Sequence, residues 1–471
     1  MTRFVPSALV CSLLASAPLA AANIVVDTTA DTATVDGFCS LREAIDAANA
    51  NASTSECAAG TGTSDRILFD LPLPATITLT SHLPLVTESV ALVGPGVDDL
   101  TIDGADLYRL IRFDNATDAD PWFVLSGLTL TDGLADGGYQ GGALYVTGNV
   151  VLRDCELSSS TSTWYGGGLF VSGTATIERC RILGNSATGP PGAGGISIAP
   201  SGSLTLVDST IAGNTAPSLS GGGGGIWASS ATTVIVRSST ISGNSTGGSG
   251  GGIEIGQTTN GESTSVTIES STIVLNQCQV GNVTSYGCGG GLRLVTNLGG
   301  QMVAEMRNTI VAGNTDAEGT NVLHDLFLEA DAGLTFDSLG FNWVGDNRGA
   351  ATAFPVGSPN GSNDFAGDGA AALDPDLDAL AFNGGPTPTH APSGPSSPIL
   401  DQGSCQGALA DQRGFGNGGT GERIVDLAPA DLDDGCDIGA VEASLTQLTP
   451  SLIFTDGFES GRLLFWSADV P

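Results

Sequence analysis

Few residues of this 471-residue chain have types and spacings that could do chemistry. Asp364, Asp368, Asp374, Asp376 and Asp378 lie close together in a loop-rich stretch. Calcium takes several oxygen ligands, so these five carboxylates form a candidate calcium site, although they lack EF-hand spacing. Glu254 and Arg293 form a candidate catalytic pair, each following a glycine run in the equivalent segments GGIEIG and GGLRLV. A polysaccharide lyase or glycosidase would use such groups, but glycoside hydrolysis needs two carboxyls at a defined separation and only one occupies this position. Tyr145, Phe170 and Trp227 occupy the same position in GGALYV, GGGLFV and GGIWAS. Their flat apolar faces suit ligand binding, above all the stacking of sugar rings. The histidines His82, His324 and His390 are far apart, and His390 sits in a GGPTPTHA turn that reads as packing.

The elements that position these residues repeat. LRDCELSSS at 152–160 returns as IERCRILGN, LVDSTIAGN, VRSSTISGN, IESSTIVLN and RNTIVAGN, the last at 307–314. Equivalent positions Cys155, Cys180, Ser209, Ser239 and Ser271 are 25 to 32 residues apart, and glycine runs separate the blocks from a second short apolar strand. A period of this length built from short strands signals a solenoid. Period-2 alternation gives strands, glycines mark corners, and stacked rungs bury a column of Leu144, Leu169, Ile196, Ile226, Ile253 and Leu292. The residue between two inward positions must point out, which places Tyr145, Phe170, Ser197, Trp227, Glu254 and Arg293 in one outward row. The expected fold is all-β: a right-handed parallel β-helix with a short N-terminal capping helix and a loop-rich C-terminal cap.

Stacking at about 4.8 Å turns recurring polar residues into ladders. Asn185, Asn214, Asn244, Asn276 and Asn314 should form an amide ladder that satisfies backbone groups at one bend. Arg153 should meet Glu178, and Arg237 should meet Glu269, on the outer face. Residues 39–50, CSLREAIDAANA, predict a helix with Ser40 and Glu43 as a capping box and Leu41, Ala44, Ile45 and Ala48 on its buried face. Apart from Cys11, eight cysteines remain, and their order suggests the pairs Cys39–Cys57, Cys155–Cys180, Cys278–Cys288 and Cys405–Cys436.

Arg3 followed by an apolar stretch and Ala20-Ala21-Ala22 reads as a signal peptide over 1–22, and export permits those disulfides. No later run is long and apolar enough for a transmembrane helix, so the mature chain should have none. The net charge of −35, with every basic residue an arginine, excludes nucleic acid as a partner and disfavours anionic membranes and polyuronates. At 41% hydrophobic residues the chain is too apolar to be a disordered acidic tail.

The stretch NIVVDTTADTATVDGFCSLREAIDAANAN, continued by LVGPGVDDLTIDG, resembles the CSLREA domain at the start of bacterial surface β-helix proteins. SLGFNWVGDN, DPDLDALAFNGGPTPTHA, SSPILDQGSC, DQRG and CDIGAVE resemble the choice-of-anchor Q domain of the same proteins. The repeats between are similar to those of polymorphic outer-membrane proteins and polysaccharide lyases. IFTDGFESGRLLFWS is similar to a C-terminal segment of secreted gammaproteobacterial proteins. The organisation this gives is signal peptide 1–22, N-terminal cap and first rungs 23–110, β-helix repeats 111–320, C-terminal region 321–445 and tail 446–471. The resemblance implies a protein exported to the outer surface or surroundings of a Gram-negative bacterium and names no substrate. The expected activity is adhesion or binding of an extracellular polysaccharide or cell-surface glycan without catalysis; the alternative is a carbohydrate-active lyase or hydrolase.

Overall fold

A computed structural model describes residues 21–62, 65–115, 120–190, 192–220, 222–230, 232–257, 262–279, 288–296, 299–316, 325–329, 333–404, 410–414 and 436–443. Among these residues four sheets run side by side along one axis, with eleven, eight, eleven and seven strands. All inter-strand pairing between named strands is parallel, as between Leu144–Thr147 and Leu169–Val171. One turn of the solenoid runs through Leu144–Thr147 in the eight-stranded sheet, Asn149–Arg153 and Glu156–Ser158 in the two long sheets, and Thr161–Ser162 in the short one. The predicted column is in register, and all six of its members are fully buried.

The corners show why these sequences coil. Between the two long sheets one residue per rung adopts a left-handed conformation: Asp154, Arg179, Asp208, Ser238, Ser270 and Asn308, with φ of 42° to 51°. The next residue points inward and its side chain bonds the carbonyl two residues back, as Ser209 Oγ does to Val207 and Ser239 Oγ to Arg237, each at 2.7 Å. That oxygen also accepts the amide of the rung before: Ser209 N donates to Ser239 Oγ and Ser239 N to Ser271 Oγ. Cys155 and Cys180 occupy the first two places of this ladder. The expected Cys155–Cys180 disulfide is not formed, and both are buried free thiols. Each thiol turns to the carbonyl its hydroxyl counterparts use, Arg153 at 3.1 Å and Glu178 at 3.2 Å. A disulfide needs a specific Cβ–S–S–Cβ geometry as well as proximity, so rung spacing alone does not make one. Burial pushes the Cys180 thiol up, and its neighbour Cys155 adds to the rise.

At the next corner the predicted amide ladder is present and longer than its five asparagines. From Asn214 onward each Oδ1 accepts the backbone N–H and Nδ2–H of the preceding asparagine, as Asn214 does from Asn185 at 2.9 and 3.0 Å. It begins at Ser160, whose amide donates to Asn185, and ends at Asp325, which accepts both donors of Asn314. The hydroxyl ladder likewise runs through Thr309 and Asn342 to Asp364. A stack whose donors all point one way leaves donors over at its end, and a carboxylate there plays the part an acidic N-cap plays on a helix.

The helix α1, Leu41–Ala50, closes the first rung with its capping box formed and the expected face buried. Cys39–Cys57 and Cys278–Cys288 are bonded. Cys436 is disulfide-bonded too, and Cys405, its expected partner, lies outside the described residues. On the outer face Arg153–Glu178 and Arg237–Glu269 pair at 2.9 and 2.7 Å.

The C-terminal region does more than close the far end, where Phe354 is buried against Phe336. It returns as a strap along the outer face of the sheet that contains Thr210–Ala212 and Thr240–Ser242. Thr210 donates to the Pro388 carbonyl, Thr240 to Gln412 Oε1, and Thr272 Oγ1 accepts from Ala440 N. A second apolar cluster of Val274, Ile310, Trp343, Phe365, Ile399 and Ile438 seals this join. Among the described residues no helix is long and apolar enough to cross a membrane.

Candidate functional site

The eight-stranded sheet carries the predicted outward row. Paired strands place Arg112, Tyr145, Phe170, Ser197, Trp227, Glu254, Arg293 and Phe327 at successive rungs. Tyr145 and Phe170 stack with ring centroids 5.3 Å apart and planes 13° apart. Ser197 interrupts the strand sequence but not the aromatic surface. Tyr165, from the loop preceding Leu169–Val171, fills the gap, with centroids 6.0 Å from Phe170 and 5.4 Å from Trp227. Trp164 stacks on Tyr165 and is 43% exposed. The result is one line of rings, Tyr145, Phe170, Tyr165 and Trp227, running along the solenoid axis.

Two expectations about this row change. Phe170 is only 7% exposed between Tyr145 and Tyr165, so it props its neighbours and offers little face of its own. Ser197 points outward yet is fully buried, and its Oγ accepts the Ala193 amide. The missed residues, Tyr139, Trp164 and Tyr165, belong to loops and not strands. Their signal was the aromatic placed just before a glycine run, in GGYQGG and WYGGG. Those glycines keep the backbone bare: a Cβ at Gly222 would run into the Trp227 ring. Tyr139, Trp164 and Leu219 put exposed apolar side chains on three of the loops that lead into this sheet.

Glu254 and Arg293 do meet, at 2.5 Å, and both side chains are nearly buried. Burial raises the Glu254 carboxyl above its usual range, while the Arg293 charge and hydrogen bonds from Arg293 and Ser249 pull it back. This is a closed ion pair joining two rungs. A charge paired in this way ties neighbouring strands together.

The five aspartates are not brought together. Asp364 is buried as the end of the hydroxyl ladder. Asp368 accepts the amides of Ala370 and Ala371, and Asp374 accepts that of Asp376, so each turns onto its own loop. Asp376 has a left-handed φ of 51°, and Asp378 is exposed. Among the described residues no three His, Cys, Asp or Glu side chains are grouped to hold a metal. His390 packs as expected: Asp378 O fixes Nδ1, Ser242 bonds Nε2 at 2.8 Å, and burial lowers its pKa. His82 accepts the Arg109 amide, and His324 lies outside the described residues.

The fold and site define an all-β protein of the right-handed parallel β-helix class, with an aromatic ledge on one sheet. Residues 115–317 match the family model described as right handed beta helix region, which with the stacked parallel sheets supports the β-helix family for this chain. No curated protein matches the chain.

Proposed function

We propose that this is an exported, non-catalytic surface protein that binds an extended extracellular polymer, most simply a glycan, along its aromatic row. The observation that carries this is the unbroken line from Tyr145 through Phe170 and Tyr165 to Trp227, beside the exposed Trp164. Ring spacings of 5.3 to 6.0 Å along the axis suit a chain of flat units lying lengthwise better than one small molecule in a pocket. Export is supported by the N-terminal apolar segment, and the CSLREA and choice-of-anchor Q likenesses support the surface setting.

Glycan-array binding tests the reading. Trp227→Ala and Trp164→Ala should each weaken binding about tenfold or more, because each removes a large stacking face. Gly222→Ala should weaken it as well by displacing the Trp227 ring without removing it. Glu254→Gln should leave binding in place. Depolymerisation of a bound polysaccharide that vanishes in Glu254→Gln would establish the hydrolase or lyase instead. Binding indifferent to both tryptophans would remove the row from the site.

A further inference from the structure

The N-terminal end of the aromatic row differs from the rest in charge. Every described arginine except Arg66 and Arg109 forms an ion pair with a carboxylate. Arg66 is exposed, but Arg109 is half-buried, with its guanidinium carbon 4.1 Å from the Tyr139 ring centroid. Its Nε is buried without a partner. Burial and the neighbouring Arg112 both lower its pKa, and Asp136 and a hydrogen bond with Tyr139 only partly offset them. Arg112 sits 5.4 Å over the ring of Tyr145, the first aromatic of the row. Its partner Asp114, at 3.0 Å, is shared with the Thr147 hydroxyl. Two guanidiniums thus meet at one end of the row, only one of them in an ion pair, in a chain whose net charge is −35. A half-buried guanidinium lacking a carboxylate partner is a strong hydrogen-bond donor to oxyanions.

We infer that Arg109 and Arg112 form an anion subsite that takes one carboxylate or sulfate on the terminal sugar of the bound polymer. This rests on the polymer-binding reading and adds direction to it. The acidic end lies over the Arg112 rung, and uncharged rings follow over Tyr145, Tyr165 and Trp227. A polyanion is excluded by the same geometry, because farther along the row its charges would meet aromatic faces and then Glu254, whose single positive neighbour is already engaged.

The test is an array of oligosaccharides ending in a glucuronic acid, the same compounds with that carboxyl reduced to the alcohol, and terminally sulfated counterparts. The parent protein should bind acidic members about tenfold or more tightly than their neutral twins, the gap narrowing at high salt. The carboxylate and sulfate arms report which anion is preferred. Arg109→Gln should bring the acidic-to-neutral ratio close to one, and Arg109→Lys should retain most of it, with thermal melts confirming that both variants fold. Equal binding of acidic and neutral members by the parent, with Trp227→Ala still weakening both, overturns the anion subsite and leaves the row standing. Binding to none of the compounds, or binding indifferent to Trp227→Ala, overturns the row and the subsite with it.

Discussion

Two sheets of the same solenoid expose outward rows that meet different fates. On the sheet containing Thr210–Ala212, Thr240–Ser242 and Thr272–Val274 the outward Thr210, Thr240, Ser242 and Thr272 are small and polar, Val274, Ile310 and Trp343 beyond them are apolar, and the C-terminal strap buries them all. Gln412 alone bonds Thr240, Thr210, Thr387 and the Ser209 carbonyl. On the eight-stranded sheet the outward row includes Tyr145, Phe170 and Trp227, and among the described residues only loops of the same sheet lean over them. Tyr145, Tyr165 and Trp227 stay half-exposed, and Trp164 and Tyr139 more so. Pointing outward is therefore a property of the strand, while facing solvent is a property of what the remaining chain covers. The first face is an internal seam, and among the described residues the aromatic face stays uncovered.

The largest effect should come from the core that both faces share. Ile226→Asp places an unpaired charge in a fully buried column and should cost about 4 kcal/mol or more, enough to unfold neighbouring rungs in a thermal melt. Ser197→Asp, outward but covered, should melt between that variant and the parent. Equal melting of the two variants would erase the distinction between inward and outward positions.

Next is the pH dependence of the solenoid's end beside the strap. Burial raises the Asp325 carboxyl from 3.8 to about 7, against hydrogen bonds from Asn314 and the Asp346 amide, and the Asp346 charge adds to the rise. A raised carboxyl favours folding fully below its ordinary value and loses that contribution as pH climbs through the folded one, a change of a few kcal/mol for a shift of this size. Denaturant melts should show the parent losing stability between about pH 4 and 7, with Asp325→Asn flattening the profile. His390 works in the opposite sense: burial lowers its pKa, so its contribution holds above 6.5 and fades as pH falls. An unchanged slope in Asp325→Asn would show that the ladder end does not titrate in this window.

Breaking the seam should cost less. Gln412→Leu leaves the Thr240 hydroxyl without its acceptor, takes one of two donors from the Ser209 carbonyl and should destabilise the fold by roughly 2 kcal/mol. Limited proteolysis should then cut the strap first, with glycan binding retained because the aromatic face lies elsewhere. Loss of that binding would couple the two faces.

The smallest change should be a gain. Leu275 holds a left-handed φ of 59° at the corner where Gly184, Gly213, Gly243 and Gly313 stand in other rungs, and it is 58% exposed. Leu275→Gly should relieve the Cβ clash and stabilise by about 1 kcal/mol, raising the melting temperature slightly. A lower melting temperature would mean that Leu275 contributes packing to the cavity of about 510 Å³ that it borders with Leu373 and Leu377.

The sequence alone determined whatever repeats locally. Alternation set which side of each strand is buried, the recurring asparagines set a ladder, and Ser40 with Glu43 set the start of α1, because each depends on neighbours within one rung or one stacking step. Tertiary structure decided the rest. Asp325 and Asp364 end the ladders from outside the repeat, so no periodicity could reveal them. Cys155 and Cys180 share a register, yet each thiol turns to a carbonyl of its own rung and no disulfide joins them. Tyr165 reaches Trp227 from a loop two rungs away, and the strap that buries Thr210 and Thr240 comes from 170 to 200 positions further along the chain. Exposure at an outward position is set by such distant segments, and the pattern within a strand carries no record of them.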